Sequence, residues 1–315
     1  VRRALITAIS TAVFTAVAVA TVYDTHEKTA LSPAVAADDE GVYLAWARLD
    51  GMMKFARFEL SESRGDEAYA QASQALTSRT NDPFAMVLGD GSIFLAFIDY
   101  RTGKAELLNY EPKGKNDFKR KDSRSTQVQA RGGLSLAYDD DRLYLGFTDA
   151  AEDYVSVVSY KVSRSGKLSR ENERKLEECE TVVGSAITLE SGKLVVAWVD
   201  SDKKFMLTTY DLDISSKGPS YRHLKNTRTE IRVNTDILDK PALASADGEV
   251  YLAYVDRNDK TAHVNFYLMD DDGSLRSAGE TRVNERPVQP AGVGAFGEKV
   301  YVAVVDANKR LLVAD

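Results

Sequence analysis

Among 315 residues there is one cysteine, Cys179, with three histidines, seven prolines and 20 glycines. A single thiol excludes an internal disulfide framework. No histidine lies near Cys179 in sequence, so it reads as a small core or surface residue rather than a nucleophile. The low glycine and proline content excludes a collagen-like or low-complexity chain. The histidines, His26, His223 and His263, are far apart, and none has the spacing of an H-x-x-x-H or H-E-x-x-H site. No metal site is therefore expected. There is no G-x-S-x-G elbow, no Walker loop and no G-x-G-x-x-G opening a helix, so neither serine-nucleophile chemistry nor a nucleotide cofactor is expected. Clustered positive charge is also missing. Lys and Arg number 41 against 48 Asp and Glu, net charge −7, and the cations are scattered among the acids. Nucleic-acid partners, which need concentrated cations to displace phosphate counterions, are excluded. What is present in quantity is apolar residue, 43%, enough to exclude disorder and to build a large core.

The head of the chain has its own pattern. Val1, Arg2 and Arg3 make a short basic start, and Ala4 to Ala20 carry no charge. Ala18, Val19 and Ala20 form an A-x-A site before a polar stretch. This reads as a secretory signal over residues 1–20, with export to the periplasm, cell surface or medium of a bacterial cell. The alternative reading is a long strand of the folded domain. Thr7, Ser10, Thr11 and Thr15 dilute the run too far for stable membrane insertion.

Residues 21–315 read as one domain made of a repeat. Each unit has a Pro or Gly, a short apolar run, a polar turn, then a stronger apolar run closed by Asp. The closing aspartates are Asp99, Asp149, Asp200, Asp256 and Asp306, a period of about 50, which is in the range of propeller blades. In the first unit Arg48 takes the slot. Asp90-Gly91, Ser191-Gly192 and Asp247-Gly248 are hairpin signals between first and second strands. The second strands are the most apolar: Val42 to Ala47, Ile93 to Ile98, Leu143 to Thr148, Leu194 to Val199, Val250 to Val255 and Val300 to Val305. A bulky residue recurs two places before the closing slot: Trp46, Phe97, Phe147, Trp198, Tyr254 and Val304. These positions predict wedge-filling core residues rather than a sugar-stacking platform. Fourth strands are polar, as in Glu230 to Asn234 and Glu280 to Asn284, which suits an outermost strand in water. The acidic run Asp270 to Gly273 reads as a turn.

The expected fold is therefore all-β, a six-bladed β-propeller of four-stranded antiparallel blades. The last unit runs out after its third strand. Ala16 to Thr25 is placed to supply the fourth by pairing with Arg310 to Ala314, closing the ring. Cleavage after Ala20 would still leave Thr21 to Lys28 for this strand.

Arg282-Val283-Asn284, Pro290 and Val300 to Asp306, echoed by Arg232 to Asn234, Pro241 and Val250 to Asp256, resemble the sialidase-like six-bladed propellers. That resemblance implies the same fold and a site on the face of the central channel. The Arg-Ile-Pro motif of true sialidases is absent, and the Asp-box survives only as Asp270 to Leu275 without its Trp, so no catalytic residue carries over. The function expected is a non-catalytic binding or scaffold module, monomeric, recognising a glycan or protein. Candidate ligand-binding residues are Arg48, Asp99, Asp149, Asp200, Asp256 and Asp306. For the aspartates the competing role is local, capping the turn that each begins. The alternative function is a glycoside hydrolase or lyase with a divergent site.

Overall fold

The computed structural model describes residues 21–61, 66–114, 117–181, 183–215, 218–224, 227, 229–231, 240–256 and 258–315. The proposed signal at 1–20 and the segment Arg232 to Asn234 lie outside them. Every regular element among the described residues is a strand. Among the described residues no helix is long and apolar enough to cross a membrane.

Strand β1 (Val22–Lys28) precedes the first blade. Blade 1 is β2 (Ala34–Asp38), β3 (Gly41–Ala47), β4 (Met52–Ser61) and β5 (Glu67–Arg79). Blade 2 is β6 (Ala85–Gly89), β7 (Ser92–Ile98), β8 (Ala105–Pro112) and β9 (Phe118–Ser125). Blade 3 is β10 (Ala130–Asp139), β11 (Arg142–Asp149), β12 (Tyr154–Val162) and β13 (Leu168–Glu180). Blade 4 is β14 (Ala186–Glu190), β15 (Lys193–Val199) and β16 (Phe205–Ser215), with an outer edge in two pieces, β17 (Gly218–His223) and β18 (Thr229–Ile231). Blade 5 is β19 (Ala242–Ala246), β20 (Glu249–Asp256), β21 (Thr261–Met269) and β22 (Leu275–Val283). Blade 6 is β23 (Gly292–Phe296), β24 (Lys299–Val305), β25 (Arg310–Ala314) and the returning β1. All pairings within blades are antiparallel. The chain is a six-bladed β-propeller.

The first strands β2, β6, β10, β14, β19 and β23 touch one another in a closed cycle around the axis. Six strands converging on one axis leave little room, which explains their small residues. A Cβ on Gly292 would sit 2.5 Å from the Pro33 carbonyl oxygen, and one on Gly132 would sit 2.4 Å from the Gly184 nitrogen. At the tight turns, Asp90-Gly91, Ser191-Gly192 and Asp247-Gly248 all take positive φ at both residues, the type I′ geometry that matches strand twist.

Second strands are sandwiched between blades and therefore apolar on both faces. Trp46, Phe97, Phe147, Trp198, Tyr254 and Val304 are each at most 4% exposed, so the bulky slot is core. Aromatic contacts stitch neighbouring blades together. Phe55 of blade 1 lies 5.0 Å from Tyr110 and 4.7 Å from Phe118 of blade 2, and Phe205 of blade 4 lies 4.9 Å from Tyr254 of blade 5.

Ring closure is as the count of strands requires. β1 pairs with β25 through Val22 and Ala314, Tyr23 and Val313, and Asp24 and Leu312. The strand lies further along the chain than the Ala16 to Thr25 expected, because its pairing continues to Lys28 opposite Arg310. It starts at Val22, so a cut after Ala20 leaves it whole. Thr25 Oγ1 donates to the Leu311 carbonyl at 2.6 Å. β1 also meets blade 1: Asp24 N donates to the Asp66 carbonyl at 3.1 Å, and Lys54 Nζ lies 2.7 Å from Glu27.

Candidate functional site

The strand-closing aspartates sit where each second strand leaves the sheet, on the face that also carries the entry to each first strand. Their chemistry is used locally. Asp99 Oδ1 accepts from the backbone N–H groups of Arg101 and Thr102, both at 3.0 Å. Asp149 does the same with Ala151 at 2.8 Å and Glu152 at 3.2 Å, and Asp200 with Asp202 at 3.0 Å and Lys204 at 2.9 Å. Asp306 accepts from Asn308 at 2.9 Å and Arg310 at 2.8 Å, while its second oxygen pairs with Arg310 Nε at 2.8 Å. Burial pulls its carboxyl upward, but the Arg310 N–H and guanidinium outweigh this and leave it below the usual range. Arg48 is exposed and faces Asp50 at 3.3 Å. Asp50 takes over the turn, accepting from Met52 N at 3.0 Å. Among the described residues no hydrogen bond or ion pair joins one of the six candidates to another.

These bonds predict a stability effect. Asp306→Ala removes two backbone caps and an ion pair, and is expected to destabilise the fold by about 2 kcal/mol. A thermal melt followed by circular dichroism reads this as a drop of several degrees. An unchanged midpoint would remove the capping role.

The central channel is narrow. Its mouth on the aspartate face holds about 60 Å³ and its far half about 190 Å³. Both are below the range of small-molecule pockets, roughly 300–1,000 Å³. The lining is mostly Ala, Val, Leu, Met, Pro and Gly. Among the described residues Lys240 is the one charged side chain in the channel lining. Its Nζ donates to the Leu134 carbonyl, and burial pushes its pKa down to about 7.

Larger clefts lie further out, between blades. The blade 3–blade 4 cleft holds about 330 Å³. Arg174, Lys175, Glu177 and Glu178 of β13 form one wall. Tyr210 of β16 and Ser220, Tyr221 and His223 of β17 form the other. Tyr210 OH donates to Glu178 Oε2 at 3.1 Å and lies 3.3 Å from Cys179 Sγ. Burial first, then the neighbouring Cys179 and Glu178, push the phenol well above its usual range, so it stays a donor. The His223 ring packs 5.1 Å from Tyr210 and places Nε2 2.9 Å from Thr208 Oγ1. Similar clefts occur between blades 2 and 3, about 340 Å³ beside Arg124, Gln127, Tyr160 and Arg170, and between blades 5 and 6, about 290 Å³ against Phe266 and Val300.

The sequence reading did not find these clefts. Their walls come from polar outer strands of different blades, which carry no local motif. Histidine spacing also gave no reason to look for metal ligands, yet the fold brings Asp256, Asp259 and His263 together in blade 5.

No family model matches the chain, and no curated protein matches it. Solved structures do. The lectin of Aleuria aurantia in complex with Fucα1-6GlcNAc is 13% identical over 89% of each chain, with a TM-score of 0.61. A second structure of the same Aleuria aurantia lectin, described as a six-bladed β-propeller with a novel fucose recognition mode, is 12% identical, covering 93% of this chain and 90% of the other, TM-score 0.60. A putative glucose dehydrogenase from Thermus thermophilus is 10% identical over 94% of this chain and all of its own, TM-score 0.54. At such identities the likeness establishes the propeller fold and nothing finer.

Proposed function

We propose that this propeller is a non-catalytic glycan-binding module whose sugar sites are the clefts between neighbouring blades, the blade 3–blade 4 cleft foremost. The observation that carries this is the make-up of that cleft. Tyr221 and His223, backed by the buried Tyr210, stand beside an arginine, a lysine and two glutamates. A sugar presents an apolar C–H face and hydroxyls that both donate and accept. Aromatic rings suit the first, and charged or hydroxyl side chains suit the second. The lectin among the structural neighbours supports the same reading. Three clefts on one ring would turn weak single contacts into avidity on a branched or crowded glycan. Export, as residues 1–20 suggest, would place the module among extracellular glycans. Sialidase-like ancestry is the finer form of this reading.

A glycan array probed with the full chain tests it. Arg174→Ala and Tyr221→Ala are expected to weaken binding at least tenfold, about 1.4 kcal/mol. Arg48→Ala on the same array tests whether the one break in the aspartate series also binds. Absence of any glycan signal would sink the proposal and favour a protein ligand. Glu177 and Glu178 line the same cleft, so release of free sugar from a bound glycan would favour the hydrolase reading instead.

A further inference from the structure

We infer that the loop joining β20 to β21 in blade 5 is a divalent-cation site, with Asp256, Asp259 and His263 as ligands and Glu280 orienting the histidine. One ligand atom from each of the three lies within 4.8 Å of the others. Their spacing, D-x-x-D-x-x-x-H, follows the loop from the last residue of β20 to the third of β21.

The histidine carries the argument. His263 is 6% exposed, and both its ring nitrogens face carboxylates. Nδ1 lies 2.7 Å from Glu280 Oε1, and Nε2 lies 3.0 Å from Asp259 Oδ2. A neutral imidazole has one N–H and one lone pair. In the tautomer that donates from Nδ1 to Glu280, the Nε2 lone pair faces Asp259, and a cation held between them would satisfy both. A carboxylate behind a histidine that faces other ligands is the usual outer-shell arrangement at metal centres. Tyr254 stacks on the ring at 5.1 Å and 5°, fixing its plane.

Asp256 adds an independent observation. It is 4% exposed, and one oxygen accepts from Asn258 N at 2.8 Å. No hydrogen bond reaches its other oxygen among the described residues. The other blades also differ in a telling way. Opposite the closing aspartate stand Lys104, Lys204 and Arg310 in blades 2, 4 and 6, whose carbonyls bond Asp99, Asp200 and Asp306. Opposite Asp256 stands Thr261. In blade 6 that residue pairs its cation with the aspartate, Arg310 with Asp306, whereas Lys204 turns to Glu230; blade 5 places a neutral residue beside a histidine and a second aspartate. One nitrogen and two carboxylates, with water completing the shell, suit zinc or manganese better than calcium, which takes six to eight oxygens.

The test is calorimetric titration of EDTA-treated, dialysed full chain with ZnCl2 and with MnCl2. One saturable equivalent of at least one metal is expected, with affinity reduced at least tenfold in His263→Gln and Asp259→Asn. Glu280→Gln should weaken binding about tenfold, as loss of an outer-shell carboxylate does. Circular dichroism confirms that each variant is folded. Long-range 1H–15N spectra of His263 give a second readout that needs no variant: the Nε2 resonance should move on adding metal. The alternative cation is a proton. Absence of saturable binding, binding unchanged in His263→Gln, or a His263 protonated on both nitrogens whatever metal is added would each overturn the site.

Discussion

Deletion of residues 21–28 is expected to abolish cooperative unfolding or to lower the melting midpoint by well over ~10 °C. The size follows from what β1 holds. Tyr23, 2% exposed, fills the outer part of blade 6. Truncating a buried ring of this kind removes about 3–5 kcal/mol. Thr25 contributes a buried hydrogen bond to Leu311, and the ladder to β25 contributes several more at about 1 kcal/mol each. Their sum approaches the whole net stability of a domain, about 5–15 kcal/mol. Loss of β1 also bares the edge of β25, inviting aggregation. Point variants grade the effect. Tyr23→Ala should be destabilised by about 3–5 kcal/mol and Thr25→Val by about 1 kcal/mol, whereas Leu49→Ala at the exposed loop should change little. A synthetic peptide spanning 21–28, added to the truncated chain, should restore part of the lost stability. Calorimetry measures all of these. An unchanged midpoint in the truncated chain would mean that β1 is not the closing element.

The fold was legible because a propeller repeats its most constrained part. Val250 to Val255 and its counterparts are buried on both faces, apart from Val300 and Tyr301 at the start of the last, so their apolar runs recur at a fixed period. The missing fourth strand was legible for the same reason, since a count one short must be met elsewhere. Outer strands carry no such constraint. β13 alternates Arg, Glu and Lys with a few apolar residues, and the outer edge of blade 4, expected at Glu230 to Asn234, begins earlier as β17 at Gly218. The blade 3–blade 4 cleft depends on β13 meeting β17, a relation between blades that no local pattern encodes. The aspartates repeated for the opposite reason. Each of the five accepts from the backbone N–H two residues on, so a shared structural need is enough to make them recur. His263 was within reach of sequence reasoning. A search for histidine paired with aspartate across a hairpin, instead of histidine paired with histidine, finds Asp256, Asp259 and His263 directly.

The channel lysine is expected to give the protein a stability that rises between about pH 7 and pH 10. Lys240 has a folded pKa of about 7 against an ordinary 10.5, because its amine is surrounded by protein at the channel mouth. Between these values the unfolded chain binds a proton that the folded chain lacks, so unfolding takes up protons and stability climbs with pH. Below pH 7 both states are charged, and the full penalty of a buried ammonium remains. The span is of order a few kcal/mol, at 1.36 kcal/mol for each pKa unit. Its one hydrogen bond, to the Leu134 carbonyl, offsets part of that penalty. Lys240→Met keeps the stem and removes the charge. The variant should melt several degrees above wild type at pH 6, lose most of that advantage by pH 9.5, and show a flatter pH profile throughout. The carbonyl left without its donor subtracts about 1 kcal/mol at every pH and does not alter the slope. Buried phenols such as Tyr43 and Tyr144, both pushed up to about 12, lower stability as the unfolded chain's phenols ionise near pH 10, but equally in both proteins, so they drop out of the difference. Differential scanning fluorimetry on the two proteins in parallel reads the difference directly. Parallel profiles would mean that Lys240 titrates in water like a surface lysine, and the channel mouth would then have to be open enough to hydrate it.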